Sequence, residues 1–343
     1  MNHAGLVLLA DVGGTHVRFG FADPTRPDPL LADSIRGLDV ATFPSLTAAA
    51  RSYLDGMSAR ATRAVFACAG RIDGDRVHMT NHPWTISRAR VRAELALDAL
   101  RLVNDFAAMS LCVPLLAPPD LRAIGTVAAA TGAPVARART CAVLGPGTGL
   151  GVGGLLLRDG RALALETEGG HVAFAPRTDE EIAVLRRLAG RFGRVSNERL
   201  LSGPGLANLH RALGEIGSTF DGELAPEEIT RRASAGGDAV CTRAVELFCE
   251  LLGAVAGDFV LALGAWDGVY LGGGLTAPLL DWLELGGFRR RFEDKGRFAE
   301  AMAGVTTQAI MHAWPGLLGA AAIAVIDDGG VPGAGRAPPV REE

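Results

Sequence analysis

Lysine is almost absent from this chain of 343 residues: of its 34 lysine and arginine residues, only Lys295 is a lysine. A P-loop, G-x-x-x-x-G-K-[ST], needs a lysine directly after its second glycine, and the sequence contains no Gly-Lys pair. The strand lysine of protein kinases has no counterpart either, because Lys295 lies in the charged segment Phe292–Phe298. The sequence therefore excludes both of these nucleotide-binding classes.

Cysteines are few and scattered, and long apolar runs are missing. The five cysteines form no C-x-x-C pair, and their number is odd, which is typical of reduced thiols in cytoplasm. The N-terminus lacks the basic region of a signal peptide. The most apolar long stretch, Leu251–Ala265, is interrupted by Asp258 and is too short for a membrane span. We expect a soluble, cytoplasmic protein.

Neither the charge nor the aromatic residues favour a nucleic-acid or membrane partner. The formal net charge is −4, and aromatic residues make up 6% of the chain, with none clustered beside basic residues. The motifs G-x-S-x-G and H-E-x-x-H are absent, so a serine hydrolase or a zincin has no support. The apolar content of 48% and the length predict a folded protein with a sizeable core, in one large domain or two.

The same pattern opens each half of the chain. A buried strand at Gly5–Ala10 leads into the glycine turn Asp11–Thr15 (DVGGT) and a returning strand. A second strand at Thr140–Leu144 leads into Gly145–Gly151 (GPGTGLG) and a hairpin that turns at Arg158–Gly160. Two such turns facing each other across a cleft would bind phosphate through backbone N–H groups without any lysine.

The rest of the chain alternates between strand and helix patterns, which predicts an α/β fold. Ser87, Ser196 and Ser202 are predicted helix caps. Leu115–Ala138, rich in Ala and Pro, is interpreted as a domain crossover, and residues 329–343 as a disordered tail. The other predicted strands are Arg63–Ala69, Leu100–Val103 and Gly268–Leu271, and the other main helices are Pro44–Leu54, Phe106–Val113, Asp238–Gly264 and Pro315–Ile326.

Each glycine turn has a local explanation as well as a functional one. In DVGGT, glycines permit close approach to a ligand, Thr15 offers a hydroxyl and Asp11 suits Mg²⁺, or the segment is simply a tight hairpin. Residues Gly149–Gly154 match the dinucleotide fingerprint, with Glu168 about 20 residues further on. That fingerprint must open a helix, so an NAD-dependent oxidoreductase stays an alternative that a hairpin would exclude.

Several polar residues are candidate ligands, each with a structural alternative. Asn104 and Asp105 follow a strand, where open α/β sheets bind ligands, although both residue types also favour helix N-caps. Glu166–His171 could bind polyol hydroxyls or form an exposed loop, and one histidine is poor zinc spacing. Glu198 is interpreted either as a ligand of the substrate or as a solvated carboxylate on a helix. The glycines Gly272–Gly274 either let a flat nucleotide base approach the backbone or simply end a strand.

Taken together, these segments resemble the bacterial glucokinase family of the hexokinase and actin-like ATPase superfamily. The resemblance runs from about Leu6 to Gly319 and departs at His16, where the family usually has asparagine. The motifs that carry it are LLADVGGT, MTNHPW (Met79–Trp84), LVNDF (Leu102–Phe106), GPGTGLG, EGGHVAFAP (Glu168–Pro176), ERLLSGPGL (Glu198–Leu206), LGGGL (Leu271–Leu275), FEDKGRF (Phe292–Phe298) and PGLLG (Pro315–Gly319).

The resemblance implies ATP-dependent phosphorylation of glucose at its 6-hydroxyl, giving glucose 6-phosphate. Asp105 would be the general base, and Asn104, Glu168, His171 and Glu198 would hold the remaining hydroxyls. Asp11 would lie near Mg²⁺, through water. The residues implied to cradle the ATP phosphates are Gly13, Gly14, Thr15, Gly147, Thr148 and Gly149, and those implied near adenosine are Gly272, Gly273 and Gly274.

The implied fold is the actin-like ATPase (ribonuclease H-like) fold, with two α/β domains flanking a nucleotide and sugar cleft. The small domain would comprise residues 1–115 and 313–328, and the large domain residues 116–312. Sugar binding would close the cleft, and the family suggests a homodimer. Two further hypotheses stay open: a catalytically silent sugar or nucleotide sensor on this fold, and a hexokinase that also accepts mannose or fructose.

Overall fold

The computed structural model describes residues 5–79, 84–125 and 138–333, which form a mixed α/β structure. Most of the motif Met79–Trp84, the centre of the predicted crossover and residues 334–343 of the predicted tail lie outside the described residues. The strands are β1 (Val7–Val12), β2 (His16–Ala22), β3 (Leu30–Asp39), β4 (Arg63–Cys68), β5 (Arg71–Asp73), β6 (Arg76–His78), β7 (Ile86–Ser87), β8 (Ala99–Asn104), β9 (Leu121–Ala123), β10 (Arg139–Pro146), β11 (Leu150–Arg158), β12 (Arg161–Glu166), β13 (Val269–Leu271) and β14 (Thr307–Ile310).

The helices begin and end largely where the capping residues predict. Ser87, Ser202 and Asp238 each accept a backbone N–H of the first helical turn, and Gly264 ends the longest helix in a left-handed conformation. The helices are α1 (Leu46–Gly56), α2 (Arg88–Glu94), α3 (Asp105–Cys112), α4 (Asp179–Phe192), α5 (Gly203–Ile216), α6 (Pro226–Ala235), α7 (Ala239–Leu263), α8 (Leu280–Glu284), α9 (Gly287–Glu293), α10 (Ala299–Ala303) and α11 (Pro315–Asp327).

The two larger sheets have the same topology. The first has the order β3-β2-β1-β4-β8, in which β1 is antiparallel to β2 and parallel to β4. The second repeats it as β12-β11-β10-β13-β14, with β10 antiparallel to β11 and parallel to β13, and adds β9 at its edge. The predicted repeat of strand, glycine turn and hairpin is therefore confirmed as a repeat of sheet topology.

The hairpin after GPGTGLG excludes the dinucleotide-binding alternative. Strand β11 follows the glycine loop directly and pairs with β12 through a turn at Asp159 and Gly160, both of which have positive φ. A GxGxxG fingerprint places its glycines at a helix N-terminus, where the pyrophosphate binds. Here the residues after Gly149 belong to a strand, so Gly149–Gly154 cannot serve that role.

Helices α3 and α11 lie together between the two sheets. One hydrophobic cluster joins their apolar residues to Val65 of the first sheet and to Val143 and Leu155 of the second. The two helices approach very closely, since a Cβ on Gly319 would overlap the backbone carbonyl of Ala108. The start of α3 is therefore held in a fixed position relative to both sheets.

Several strands were not predicted from the sequence. Strand β3 contains Asp33, Ser34, Arg36 and Gly37, so its pattern lacks an apolar alternation. Strands β9 and β14 are short, and β9 belongs to the segment predicted as a crossover. They pair with each other at the edge of the second sheet, an interaction between distant parts of the chain that local pattern does not report.

Glycines in α7 let α9 pack against it at backbone distance. A Cβ on Gly257 would lie 2.6 Å from the carbonyl oxygen of Phe292, and one on Gly253 would overlap the carbonyl of Phe288. Any larger residue at either position would force the two helices apart.

The single lysine of the chain supports the same packing. Lys295 Nζ donates to the carbonyl of Ala254 in α7 at 2.7 Å and to the Asp258 carboxylate at 2.6 Å. Its role is therefore to bind the segment after α9 to α7. In the parts of the chain that the structure describes, no helix combines the length and apolarity needed to cross a bilayer.

Replacing Gly253 by alanine is expected to lower the free energy of unfolding by about 1–3 kcal/mol, because the added methyl group forces α7 and α9 apart. Gly190→Ala in α4 is the matched control, since its Cβ would meet no atom within 4 Å. That substitution should stabilise the protein by up to about 1 kcal/mol through helix propensity. Urea unfolding of both variants measures the difference, and equal effects would contradict the packing argument.

Candidate active site

Asp105 lies where strand β8 becomes helix α3, at the carboxyl end of a parallel strand. Asn104 is the N-cap of α3, and its Oδ1 accepts the backbone N–H groups of Phe106 at 2.9 Å and Ala107 at 3.2 Å. Its Nδ2 donates to the carbonyl of Gly70 at 3.2 Å. The N-cap interpretation is confirmed for Asn104, and it fixes Asp105 as the first helical residue. A second amide proton of Asn104 remains for a ligand.

The carboxyl group of Asp105 has an unusual protonation equilibrium. Burial, and next the negative charge of Asp11, raise its pKa to about 7, against a smaller opposing effect of the Phe106 N–H, which donates to Oδ1 at 2.9 Å. Burial, with smaller contributions from both carboxylates, also raises the pKa of the neighbouring Cys68 thiol. A carboxyl group with a pKa near neutrality can exchange a proton with a substrate hydroxyl.

Asp11, at the end of β1, is a second buried carboxylate close enough to Asp105 to affect its pKa. Burial raises its pKa, and Arg18, its partner across the β1–β2 pair, opposes that effect. The Arg18 Nη1 lies 3.7 Å from Asp11 Oδ2, and its guanidinium lies 5.6 Å from the ring centroid of Trp314. A Cβ on Gly316 would lie 2.8 Å from the Asp11 carboxylate, so α11 requires glycine beside it.

These two carboxylates suit a hard divalent cation of the Mg²⁺ type. Each is destabilised in its charged form, which a cation would relieve, and oxygen donors are the ligands that Mg²⁺ prefers. Among the described residues no group of three or more His, Cys, Asp or Glu side chains could hold a metal. The site therefore fits a Mg²⁺ that would keep water and phosphate oxygens as its direct ligands, as is usual for this ion, with the carboxylates nearby.

Three of the predicted sugar ligands lie together. His171, at the end of the short helical turn Gly169–His171, has Nε2 4.0 Å from Glu168 Oε2 and Nδ1 4.0 Å from Glu198 Oε1. Glu168 and His171 are exposed, so their polar atoms are accessible to hydroxyl groups of a ligand. Glu168 also contributes to raising the pKa of Asp105, which ties this cluster to the carboxylates above.

The loop Gly147–Gly149 between β10 and β11 is anchored on both sides. The N–H of Gly147 donates to the carbonyl of Gly149, and the N–H of Gly203 at the start of α5 donates to the carbonyl of Gly147, both at 2.8 Å. Glu198 Oε2 accepts the N–H of Leu150 at 2.9 Å. A Cβ on Gly149 would lie 2.5 Å from that oxygen. A side chain at position 149 would therefore displace the Glu198 carboxylate from the N–H of Leu150, independently of any contact with phosphate.

The segment DVGGT is a tight hairpin, as its local explanation predicts. The N–H of Gly13 donates to the carbonyl of His16 at 3.0 Å, and the N–H of Val40 donates to the carbonyl of Thr15 at 2.9 Å. Gly14 has open space where a Cβ would be. The hairpin therefore presents the backbone of Gly14 to a ligand without obstruction.

The segment Gly272–Gly274 follows β13 and lies against the other glycine loop. Gly273 has a φ of +83°, and a Cβ on it would lie 2.5 Å from the carbonyl oxygen of Pro146. A Cβ on Gly147 would lie 3.7 Å from the N atom of Gly274. Two of the predicted nucleotide-binding segments are therefore neighbours in the fold.

Arg18 and Trp314 are absent from the residues predicted at this site. The scarcity of lysine indicates that an arginine could neutralise phosphate charge. All but one of the 34 lysine and arginine residues are arginines, however, and the sequence does not show which of them does so. The pairing of Asp11 with Arg18 in the β1–β2 register is what identifies this one.

The prediction that the side chain of Ser196 caps a helix near the site is wrong. Ser196 does precede the short helical turn Asn197–Arg199, but its side chain makes no cap hydrogen bond. Its backbone serves instead: the carbonyl of Ser196 accepts the N–H of Arg199 at 3.0 Å. The turn is also held from α5 and its cap, since Ser202 Oγ donates to the carbonyl of Glu198 at 2.8 Å and Asn208 Nδ2 to that of Arg199 at 3.0 Å.

Comparison with known proteins identifies the family of this chain. The family model "Glucokinase" matches residues 8–326. The chain belongs to the glucokinase family. It is 54% identical over 327 residues, 95% of this chain and 97% of the relative, to a glucokinase of Stenotrophomonas maltophilia strain K279a. This family membership makes the chain an enzyme, an ATP-dependent kinase that phosphorylates glucose, and sets aside the hypothesis of a catalytically silent sensor.

Solved glucokinase structures share the fold. One from an Antarctic psychrotroph superposes with a TM-score of 0.81 at 31% identity and covers 93% of this chain and 98% of its own. One from Balamuthia mandrillaris in complex with glucose has a TM-score of 0.78 at 21% identity, with 93% of each chain covered. A ROK-family glucokinase from Streptomyces griseus, in complex with glucose and AMPPNP, has a TM-score of 0.60 at 19% identity, with 93% and 99% covered. The duplicated sheets are those of the actin-like ATPase fold.

Replacing Asp105 by asparagine, without glucose, ATP or Mg²⁺, is expected to raise the free energy of unfolding more at pH 8 than at pH 4. The folded pKa is about 7 and the unfolded value about 3.9, so the ionised carboxyl destabilises the folded state increasingly between these pH values. Urea unfolding at several pH values measures this. Asp98→Asn, before the other end of β8, is the control, and a gain for Asp105→Asn that does not change with pH would contradict the predicted pKa.

Proposed function

We propose that Asp105 is the general base of glucose phosphorylation by this member of the glucokinase family. Asp105 accepts the proton of the 6-hydroxyl as O6 attacks the γ-phosphorus of ATP, the bond to the bridging oxygen of ADP breaks, and glucose 6-phosphate leaves. The observation that carries the proposal is a carboxyl group with a pKa of about 7 at the end of β8, near Asp11 and Glu168. A base works best with a pKa near the working pH.

Glu168, His171, Glu198 and Asn104 hold the other hydroxyls of glucose. The first three supply two carboxylates, each 4.0 Å from the imidazole between them, a spacing that suits adjacent hydroxyl groups. Glu198 has one oxygen committed to the N–H of Leu150 and directs the other, Oε1, toward His171. The sugar ligand Glu198 therefore also fixes the end of the loop Gly147–Gly149.

The three glycine segments hold Mg·ATP. Asp11 would hold Mg²⁺ through water, and this ion would supply neutralisation of the phosphate charge. Arg18, held by Asp11 and Trp314, supplies the positive charge that a lysine supplies in a P-loop. The phosphates lie against Gly13, Gly14, Gly147 and Gly149 and contact the hydroxyls of Thr15 and Thr148, and adenosine lies along Gly272, Gly273 and Gly274. The N–H groups of Gly13 and Gly147 are used within their own loops, so the N–H groups of Gly14 and Gly149 are the ones that bind phosphate.

Two domains close on the substrates. The small domain comprises residues 1–115 and 313–328 and the large domain residues 116–312, a division supported by the two separate sheets. Closure excludes water, which otherwise competes with glucose for the phosphoryl group.

The cellular setting belongs to the same proposal. All five cysteines are free and buried, which supports a reducing cytoplasmic location, and the product would enter glycolysis. The net charge of −4 favours neither nucleic acid nor a membrane as partner. A homodimer is proposed on the family resemblance. Turnover on mannose and fructose, measured beside turnover on glucose, distinguishes a hexokinase of wider range.

Asp105→Asn is expected to reduce kcat by about 10²–10⁴-fold, because the amide cannot accept the proton of the 6-hydroxyl. Glucose binding, measured calorimetrically, should persist because asparagine keeps the shape and much of the hydrogen-bonding capacity of the side chain. A coupled assay of glucose 6-phosphate formation with Mg·ATP measures the rate, with Asp98→Asn as control. Near wild-type turnover in Asp105→Asn would disprove the assignment of the base.

Glu198→Gln is expected to raise KM for glucose roughly tenfold, since hydrogen bonds to a charged group contribute about 1.5–3 kcal/mol and the amide keeps part of that energy. The amide oxygen can still accept the N–H of Leu150, so KM for ATP should change less. Initial rates over a matrix of glucose and ATP concentrations separate the two constants. Glu227→Gln on α6 is the control, and an unchanged KM for glucose would remove Glu198 from the sugar site.

A further inference from the structure

The ring of Phe106 occupies a seat formed by two glycines. Gly145 of β10 and Gly151 of β11 are opposite each other in the antiparallel register. A Cβ on Gly145 would lie 2.5 Å from Phe106 Cζ, and a Cβ on Gly151 would overlap the same ring. Only two residues without side chains leave room for the ring at this position. These two strand positions flank the loop Gly147–Gly149 on both sides.

The contacts continue along helix α3. A Cβ on Gly272, at the end of β13, would lie 2.5 Å from Met109 Sδ, and one on Gly153 of β11 would lie 2.7 Å from Ser110 Oγ. One face of α3 therefore rests on glycines of three neighbouring strands of the second sheet. The same helix begins with Asp105.

This geometry gives different roles to glycines that share one motif. Gly145 and Gly151 lie within paired strands, where an extended backbone has no need of glycine for its own conformation. Their lack of Cβ is explained by the ring. At the tip of the loop, the nearest neighbours of a Cβ on Gly147 or Gly149 belong to Gly274 and Glu198 rather than to α3.

We infer that Phe106 is a positioning residue, which holds the loop Gly147–Gly149 at a fixed distance from Asp105. This inference rests on the proposed function, in which the loop binds phosphate and Asp105 is the base. Phe106 follows Asp105 directly in the chain, and its ring contacts both strand ends from which the loop emerges. Misplacing reacting groups by about 1 Å costs on the order of 10²-fold in rate, so a rigid spacer at this point matters for transfer.

Removing the ring tests the inference. Phe106→Leu and Phe106→Ala are expected to raise KM for ATP several-fold and to lower kcat by about 10- to 100-fold, while the dissociation constant for glucose stays within about twofold. The backbone N–H of Phe106, which donates to Asn104 and Asp105, is retained in both variants. Phe288→Leu, a buried ring of α9, is the control for lost stability. Variants that lose only thermal stability, with both kinetic constants unchanged, would overturn the inference.

A double-mutant cycle of Phe106 and Gly151 distinguishes the contact between the ring and this glycine from other effects of the two substitutions. Gly151→Ala fills the seat and should displace the ring, giving the same kinetic defect as Phe106→Ala. Once the ring is absent, the added methyl group has space, so Phe106→Ala with Gly151→Ala should be no worse than the more impaired single variant. If the kinetic defects of the two single variants multiply in the double variant, the ring of Phe106 and a side chain at position 151 do not compete for the same space, which would contradict the inference. Soluble yield and thermal midpoint of all four proteins are measured in parallel.

Failure of the proposed base and failure of this inference give different results. If Asp105→Asn keeps its rate, the base is assigned wrongly, yet KM for ATP and the cycle still report whether the ring positions the loop. If Asp105→Asn is inactive and the defects of the cycle multiply, the base stands and the positioning role of Phe106 is wrong.

Discussion

The packing of helix α3 between the two sheets is the constraint on which the site depends. On one side α3 contacts α11 closely enough that Gly319 cannot carry a Cβ, and on the other it rests on glycines of β10 and β11 and on Gly272, which follows β13. Its first turn carries Asp105 and is fixed by the Asn104 cap. The proposed base, the loop proposed to bind phosphate and the end of α11 beside Asp11 are thereby positioned by one element rather than by three independent loops.

Burial gives the same region its chemical character. Two carboxylates of the cleft, Asp11 and Asp105, are held where ionisation is costly, and the cost is expressed as raised pKa values. A protein selected only for stability would keep these charges in water, so the arrangement gives up stability, in keeping with the proposed base at Asp105 and the proposed Mg²⁺ site near Asp11. Arg18 provides only a partial counter-charge, from 3.7 Å away.

The sequence predicted the repeated glycine turns, the hairpin after GPGTGLG and the N-caps at Ser87 and Ser202, because these depend on local preferences. It could not predict strands β9 and β14, whose pairing joins residues far apart in the chain. Nor could the sequence show which glycine of the motif Gly145–Gly151 makes room for which side chain. Gly149 accommodates Glu198, while Gly145 and Gly151 accommodate Phe106, and these contacts exist only in the folded protein.

The most direct test is a crystal structure with glucose and a non-hydrolysable ATP analogue bound together. We expect the 6-hydroxyl to lie within about 2.6–3.2 Å of an Asp105 oxygen. We also expect the phosphates on Gly147–Gly149, and the Phe106 ring still seated on Gly145 and Gly151. A 6-hydroxyl that faces another side chain, with Asp105 turned away from the sugar, would contradict the assignment of the base.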